Sequence, residues 1–155
     1  MSVFFSDEQD EAVDDRGLRE FAGAVLAAEG FPADTEVALL LVDDAQIASY
    51  NERFMGRKGP TDVLAFPLLE LKPGVVPERR RGDPPPAVGD VFLCPSEIVR
   101  RARREGFDEE SFLYLLVAHG ILHLLGYDHD SEPAATAMER REDELLAMVD
   151  RKVGP

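Results

Sequence analysis

Residues 108–130 read DEESFLYLLVAHGILHLLGYDHD, and the rest of the chain is arranged around them. From Phe112 to Leu125 the run is apolar on nearly every side, interrupted by two histidines and a glycine. A helix that is hydrophobic all round is a buried one. Asp108 offers an N-cap, and Gly126 stands where a left-handed residue ends a helix. The stretch Phe112 to Tyr127 falls short of the roughly 20 apolar residues a membrane span needs. The spacing therefore predicts a long central helix from Asp108 to Leu125, buried inside a domain, with no membrane partner.

Working outward, the neighbouring segments supply layers for that helix. Residues 2–5 (SVFF) suit a short first strand. Residues 15–29 carry Leu18, Phe21, Ala22, Val25, Leu26 and Ala28 at helical spacing and stop at Gly30 and Pro32. Residues 36–42 (EVALLLV) are continuous and apolar, the pattern of a buried strand. Asp43 or Asp44 caps a helix running to about Phe54. Gly56 to Thr61 reads as a turn, and Asp62 to Phe66 as a strand. Residues 67–87 hold Pro67, Pro73, Pro77, Pro84, Pro85 and Pro86 with Arg79, Arg80 and Arg81, and form a long loop, either a lid or a disordered insert. Gly89 to Cys94 resumes the sheet. Ser96 caps a helix to about Glu105, which Gly106 ends, and Glu132 or Pro133 opens a last helix with Met138, Leu145, Leu146 and Val149. Strands alternate with helices early, and helices dominate late. The expectation is one α/β domain over residues 1–155, a small mixed sheet of about four strands flanked by helices.

Bulk properties narrow the function classes. At 155 residues, with 45% hydrophobic and 31% charged side chains, the chain is the size and composition of one globular domain. A single cysteine, Cys94, forms no internal disulfide, in keeping with a reducing compartment such as the cytoplasm. The acidic start MSVFFSDEQDEAVDD lacks the basic and apolar regions of a signal peptide. A net charge of −14, from 17 Lys+Arg against 31 Asp+Glu, argues against nucleic-acid binding over the whole surface but leaves room for a local basic groove. The grouped cations are Arg53, Arg57 and Lys58; Arg79 to Arg81; and Arg100, Arg101, Arg103 and Arg104.

All three histidines fall within His119–His129. His119 and His123, at i and i+4, share one helix face. Two imidazoles so placed converge on one ion at about 2.0–2.1 Å. Gly126 lets the chain reverse, and His129 arrives three residues later as a third ligand. The spacing His-x-x-x-His-x-x-Gly-x-x-His is that of the metzincin peptidases. Those enzymes carry a glutamate general base directly after the first histidine, and here that residue is Gly120. Three protein ligands leave a fourth position open for water, as in catalytic zinc sites, where the ion lowers the pKa of that water toward about 7. Imidazoles also suit nickel, copper and iron. Asp128 and Asp130, flanking His129, are candidates to orient a ligand or relay a proton. Tyr127 reads as a core or capping aromatic.

The run His119-Gly-Ile-Leu-His-Leu-Leu-Gly-Tyr-Asp-His129 resembles the signature of the YbeY family of bacterial rRNA-maturation endoribonucleases. Leu39-Leu-Leu-Val-Asp-Asp44, Asn51 with Pro60-Thr-Asp-Val-Leu-Ala-Phe-Pro67, and Gly89-Asp-Val-Phe-Leu93 resemble further family stretches in the same order. Together they cover about residues 35–149. The resemblance implies a small mixed α/β sheet and one Zn2+ per chain on His119, His123 and His129. It implies metal-dependent cleavage of single-stranded RNA in 16S rRNA 3′-end maturation and ribosome quality control, with the small ribosomal subunit and its assembly factors as partners. Many relatives place an arginine where this chain has Met55. Arg53, Arg57, Lys58 and Thr61 are then the candidates for contacting RNA.

Whether water attacks phosphorus directly or the ribose 2′-OH is deprotonated stays open at this level. Two rival functions stay open as well. One is a metallohydrolase acting on peptides or small amides, which the spacing favours and Gly120 opposes. The other is a non-catalytic ribosome-assembly factor whose metal only stabilises the fold.

Overall fold

The computed structural model describes residues 2–154. Its elements run β1 (Ser2–Asp7), α1 (Asp15–Ala28), β2 (Glu36–Leu41), α2 (Asp44–Met55), β3 (Val63–Pro67), β4 (Ala87–Leu93), α3 (Pro95–Glu105), α4 (Glu109–Leu124) and α5 (Glu132–Ala147). The four strands form one sheet in the order β1-β2-β4-β3. β1, β2 and β4 are parallel, and β3 pairs antiparallel with β4 from Val63↔Leu93 to Pro67↔Gly89. This is the expected single α/β domain with a mixed sheet and flanking helices.

The local chemistry explains most boundaries. Asp43 caps α2 through a capping box, accepting from the Gln46 N–H while the Gln46 side chain accepts from the Asp43 N–H. Asp108 caps α4 by accepting from the Ser111 N–H, and Glu109 and Glu110 add negative charge at the positive end of the helix dipole. Three expectations need correction. β4 runs Ala87–Leu93 rather than Gly89 to Cys94, because Ala87 already pairs with Glu36 of β2 and Cys94 becomes the N-cap of α3. β1 extends to Asp7 rather than Phe5, because each of its residues through Asp7 finds a partner on β2. Ser96 does not cap α3. The helix starts at Pro95, whose missing N–H costs nothing in the first turn, and the Ser96 hydroxyl donates instead to Asp44 at 2.9 Å.

α4 is the hub. It packs on the sheet at β3 and β4 and against α1, α3 and α5. Phe112, Val117, Ala118, Ile121, Leu122 and Leu124 are buried within the main core, each contributing roughly 1.5–3 kcal/mol of burial where the side chain is large. Gly120 lets the helix press onto the sheet: a Cβ there would lie 2.5 Å from Val91 Cγ1. The peptidase glutamate missing from the sequence therefore has no room at this position, because its stem would collide with β4.

A smaller cluster of Val42, Ile47, Leu64 and Cys94 lies under α2. The 67–87 loop is tied down. Leu71 and Val76 pack on the main core, and Arg79 grips Asp34 through two hydrogen bonds of 2.7 and 2.9 Å. No helix of the described residues is long and apolar enough to cross a membrane.

Candidate metal centre and cleft

The C-terminal end of α4 closes in a way that sets up the histidines. The Gly126 N–H donates to the His123 carbonyl and the Tyr127 N–H to the Leu122 carbonyl, the paired bonds of a Schellman ending. Gly126 has φ +101°, and a Cβ on it would sit 2.1 Å from the Leu71 carbonyl oxygen. The proline-rich loop thus lies directly on the turn that reverses the chain toward His129.

The nitrogen donors of His119, His123 and His129 all lie within 4.8 Å of one another, and among the described residues this is the group that can hold a metal. His119 Nε2 and His123 Nε2 are 3.1 Å apart, close to the separation of two nitrogens that each stand about 2.0–2.1 Å from a common ion. The atoms behind the rings decide which nitrogen is free. His123 Nδ1 lies 2.9 Å from the Tyr127 carbonyl, which only accepts, so Nδ1 carries the proton and Nε2 presents its lone pair. His119 Nδ1 lies 2.5 Å from Glu142 Oε2, and a carboxylate fixes the same tautomer. Burial, followed by the neighbouring His119, holds the His123 imidazole below its ordinary pKa, which favours the neutral form a metal needs. His129 is exposed at the rim.

The carboxylate behind a ligand is therefore Glu142 on α5, 8% exposed, rather than Asp128 or Asp130. Both of those are exposed, and the Asp128 side chain accepts from the Asp130 N–H within the turn. Glu142 had a sequence signal. It interrupts the buried stripe Met138, Leu145, Leu146 of α5 with a single charge, and a charge inside an apolar stripe calls for a partner. The Tyr127 ring packs on the main core, and its hydroxyl reaches Glu29 at 3.4 Å.

The histidines open into a cleft of about 820 Å³. Its lining also includes Asn51, Met55, Arg57, Lys58, Thr61, Asp62 and Arg101. Of the cations singled out near α2, Arg57 and Lys58 line the cleft together with Thr61. Arg53 does not: its guanidinium lies 5.6 Å from the Phe54 ring, away from the cleft lining. Asn51, buried with only 6% exposed, donates from Nδ2 to the Gly59 carbonyl at 3.0 Å and so shapes the loop that carries Arg57 and Lys58. Asp62 and Arg101 form an ion pair at the cleft wall. The sequence offers Asp62, beside Thr61, as a residue that could line the cleft, and Arg101 only as one of the Arg100–Arg104 group. Both line the cleft, whereas their pairing across 39 residues and the loop-shaping bond of Asn51 carry no local sequence signal.

The chain matches the family described as Endoribonuclease YbeY over residues 4–150. An endoribonuclease YbeY of Acidothermus cellulolyticus is 42% identical over 156 residues, covering 99% of this chain and 95% of that one. The endoribonuclease YbeY of Thermobifida fusca is 39% identical over 147 residues, covering 95% and 93%. A solution structure of a Thermotoga maritima protein superposes with a TM-score of 0.61 at 27% identity, covering 95% of this chain and 91% of that one. The match to the family model over residues 4–150 and relatives of about 40% identity with near-complete coverage on both sides place this chain in the YbeY endoribonuclease family.

Proposed function

We propose that this protein is a zinc-dependent endoribonuclease that cuts single-stranded RNA, acting in 16S rRNA 3′-end maturation and in ribosome quality control. The observation that carries the proposal is one cleft lined by three convergent imidazoles and three cations, Arg57, Lys58 and Arg101. Family membership supports the RNA substrate and the rRNA role.

His119, His123 and His129 would hold one Zn2+ per chain, and a bound zinc supplies Lewis-acid polarisation of a phosphoryl oxygen and acidification of water. Glu142 and the Tyr127 carbonyl keep two of the rings in the donor tautomer. The cations of the cleft lining bind and orient the phosphodiester and offset its charge. Single strands fit such a site better than duplexes, because the backbone of an unpaired segment can bend into a concave cleft. The partners are then rRNA, the small ribosomal subunit and its assembly factors, and the compartment is the cytoplasm.

A peptidase is the weaker reading, since Gly120 faces Val91 and leaves no side chain to take the proton. The test is side-by-side incubation with a single-stranded oligoribonucleotide, its duplex and casein, before and after zinc is removed and restored. Zinc-restored cutting of the single strand alone is expected. Cutting of casein, or RNA cutting indifferent to zinc removal, contradicts the proposal.

A further inference from the structure

The α3 helix carries four arginines, and the fold sends them to different places. Arg100 is committed to Asp44 and Glu97, Arg103 reaches Glu109 at 2.7 Å, and Arg104 lies near Glu97 at 3.9 Å. Of the four, Arg101 alone lines the metal cleft. Its guanidinium is held from two directions. Nη1 donates to the Asp62 carboxylate, and the guanidinium carbon lies 5.3 Å over the Phe112 ring. Asp62 is itself fixed: it is 9% exposed, and its carbonyl accepts from the Cys94 N–H at 2.9 Å.

We propose that Arg101 is the principal RNA-phosphate contact of this cleft, with Asp62 as the residue that positions it. The proposal rests on the nuclease reading above. A guanidinium has five N–H donors in a planar fork that matches phosphate oxygens. The bond to Asp62 uses one edge, and the Arg101 side chain remains 46% exposed, so further donors are free on the cleft side. Arg57 and Lys58 also line the cleft, but both are exposed on a glycine-flanked loop. Each must be immobilised when it binds, at a cost in side-chain entropy. Arg101 has already lost that freedom in the fold. Met55, on the same wall, offers a thioether that neutralises no charge.

The test is fluorescence anisotropy of a labelled single-stranded 2′-O-methyl oligoribonucleotide on the zinc-loaded protein, titrated across salt, with a gel confirming that the probe stays intact. Arg101→Gln is expected to weaken binding on the order of 10-fold. It is also expected to flatten the log K against log salt slope by about 0.7, the value of one phosphate contact to a single strand. Arg101→Lys restores the slope but only part of the affinity, and Arg103→Gln changes neither.

Because Arg101→Gln leaves Asp62 buried without its partner, the pair Asp62→Asn with Arg101→Gln removes both charges and should show the same flattened slope. Asp62→Asn alone keeps the salt slope and weakens binding. A purely structural Arg101 would lower Tm and leave the slope of every folded variant at the wild-type value, which overturns the proposal. A wild type that binds and cuts single-stranded RNA while both Arg101→Gln proteins match it overturns the Arg101 assignment alone. A wild type that neither binds the probe nor cuts RNA overturns the nuclease reading and this one with it.

Discussion

On one wall of the cleft, two of the three imidazoles have a fixed group behind them: Glu142 behind His119 and the Tyr127 carbonyl behind His123. On the other wall, Arg57 and Lys58 stand in solvent on a loop shaped by the single Asn51 side-chain bond, and Arg101 is the anchored exception. On the proposed function, the difference follows from what each side would hold. A metal ion demands donors placed within tenths of an ångström, so its ligands are oriented from behind. An RNA backbone is long and variable in shape, and exposed cations can adapt to it, at a cost in side-chain entropy when they bind. The histidine side is therefore rigid and local, and the cation-bearing lining is assembled from α2, the following loop, β3 and α3.

Three changes sharpen the contrast. The largest effect falls on the histidine wall. Glu142→Ala removes the acceptor behind His119 and is expected to weaken zinc binding by about 10- to 100-fold, read by competition with a chromophoric chelator. Glu142→Gln, which still offers a carbonyl oxygen, should lose less. An unchanged zinc affinity in folded Glu142→Ala would mean that the rigid wall needs no support from α5.

A smaller effect is expected opposite. Arg57→Gln with Lys58→Gln should leave zinc content and Tm unchanged. RNA affinity should fall several-fold at low salt, with the salt slope flattening by at most about 0.7 per cation removed. Loss of zinc in that variant would break the division between the walls.

The smallest effect concerns the tie between α2 and α3, where Asp44 bonds Arg100. Chiefly through the Arg100 hydrogen bond, the Asp44 carboxyl is held down to about 2. A carboxyl with a depressed folded pKa contributes stability that is fully present above its unfolded value near about 4 and is lost as pH falls through the folded value. Both side chains are nearly half exposed, at 44% and 45%, so the contribution stays below about 1 kcal/mol. Urea denaturation at pH 5 and pH 2.5 should show a slightly smaller loss of stability for Asp44→Asn than for wild type. An equal loss would remove this tie from the account.

What was legible in the sequence divides along the same line. The central helix, its Asp108 cap, the Gly126 turn and the three histidines are encoded within about one stretch of 23 residues, where i, i+4 spacing and glycine chemistry can be read directly. The alternation of strands and helices gave the α/β class. Strand order is different, because nothing local states that β3 turns back to run antiparallel beside β4. The loop of prolines left lid and disordered insert equally open, and its packing on Gly126 depends on a backbone approach that composition does not describe. Asp62 and Arg101 are 39 residues apart, and His119 and Glu142 are 23 apart. Such pairs are created by packing, although the lone charge in the α5 stripe was a usable clue. Asp128 and Asp130 are adjacent to His129 in sequence, and adjacency is a poor guide where the chain reverses.

The most direct test of the central claim is metal content by plasma mass spectrometry on protein purified without an affinity tag, wild type beside His123→Ala, with single-stranded RNA cleavage measured on the same samples. One zinc per wild-type chain, its loss in His123→Ala and a fall in cleavage of roughly 1,000-fold are expected, the last reflecting the several kcal/mol of charge stabilisation a metal supplies. A wild type that holds no metal after zinc is resupplied, or that cuts RNA equally well without His123, would contradict the account.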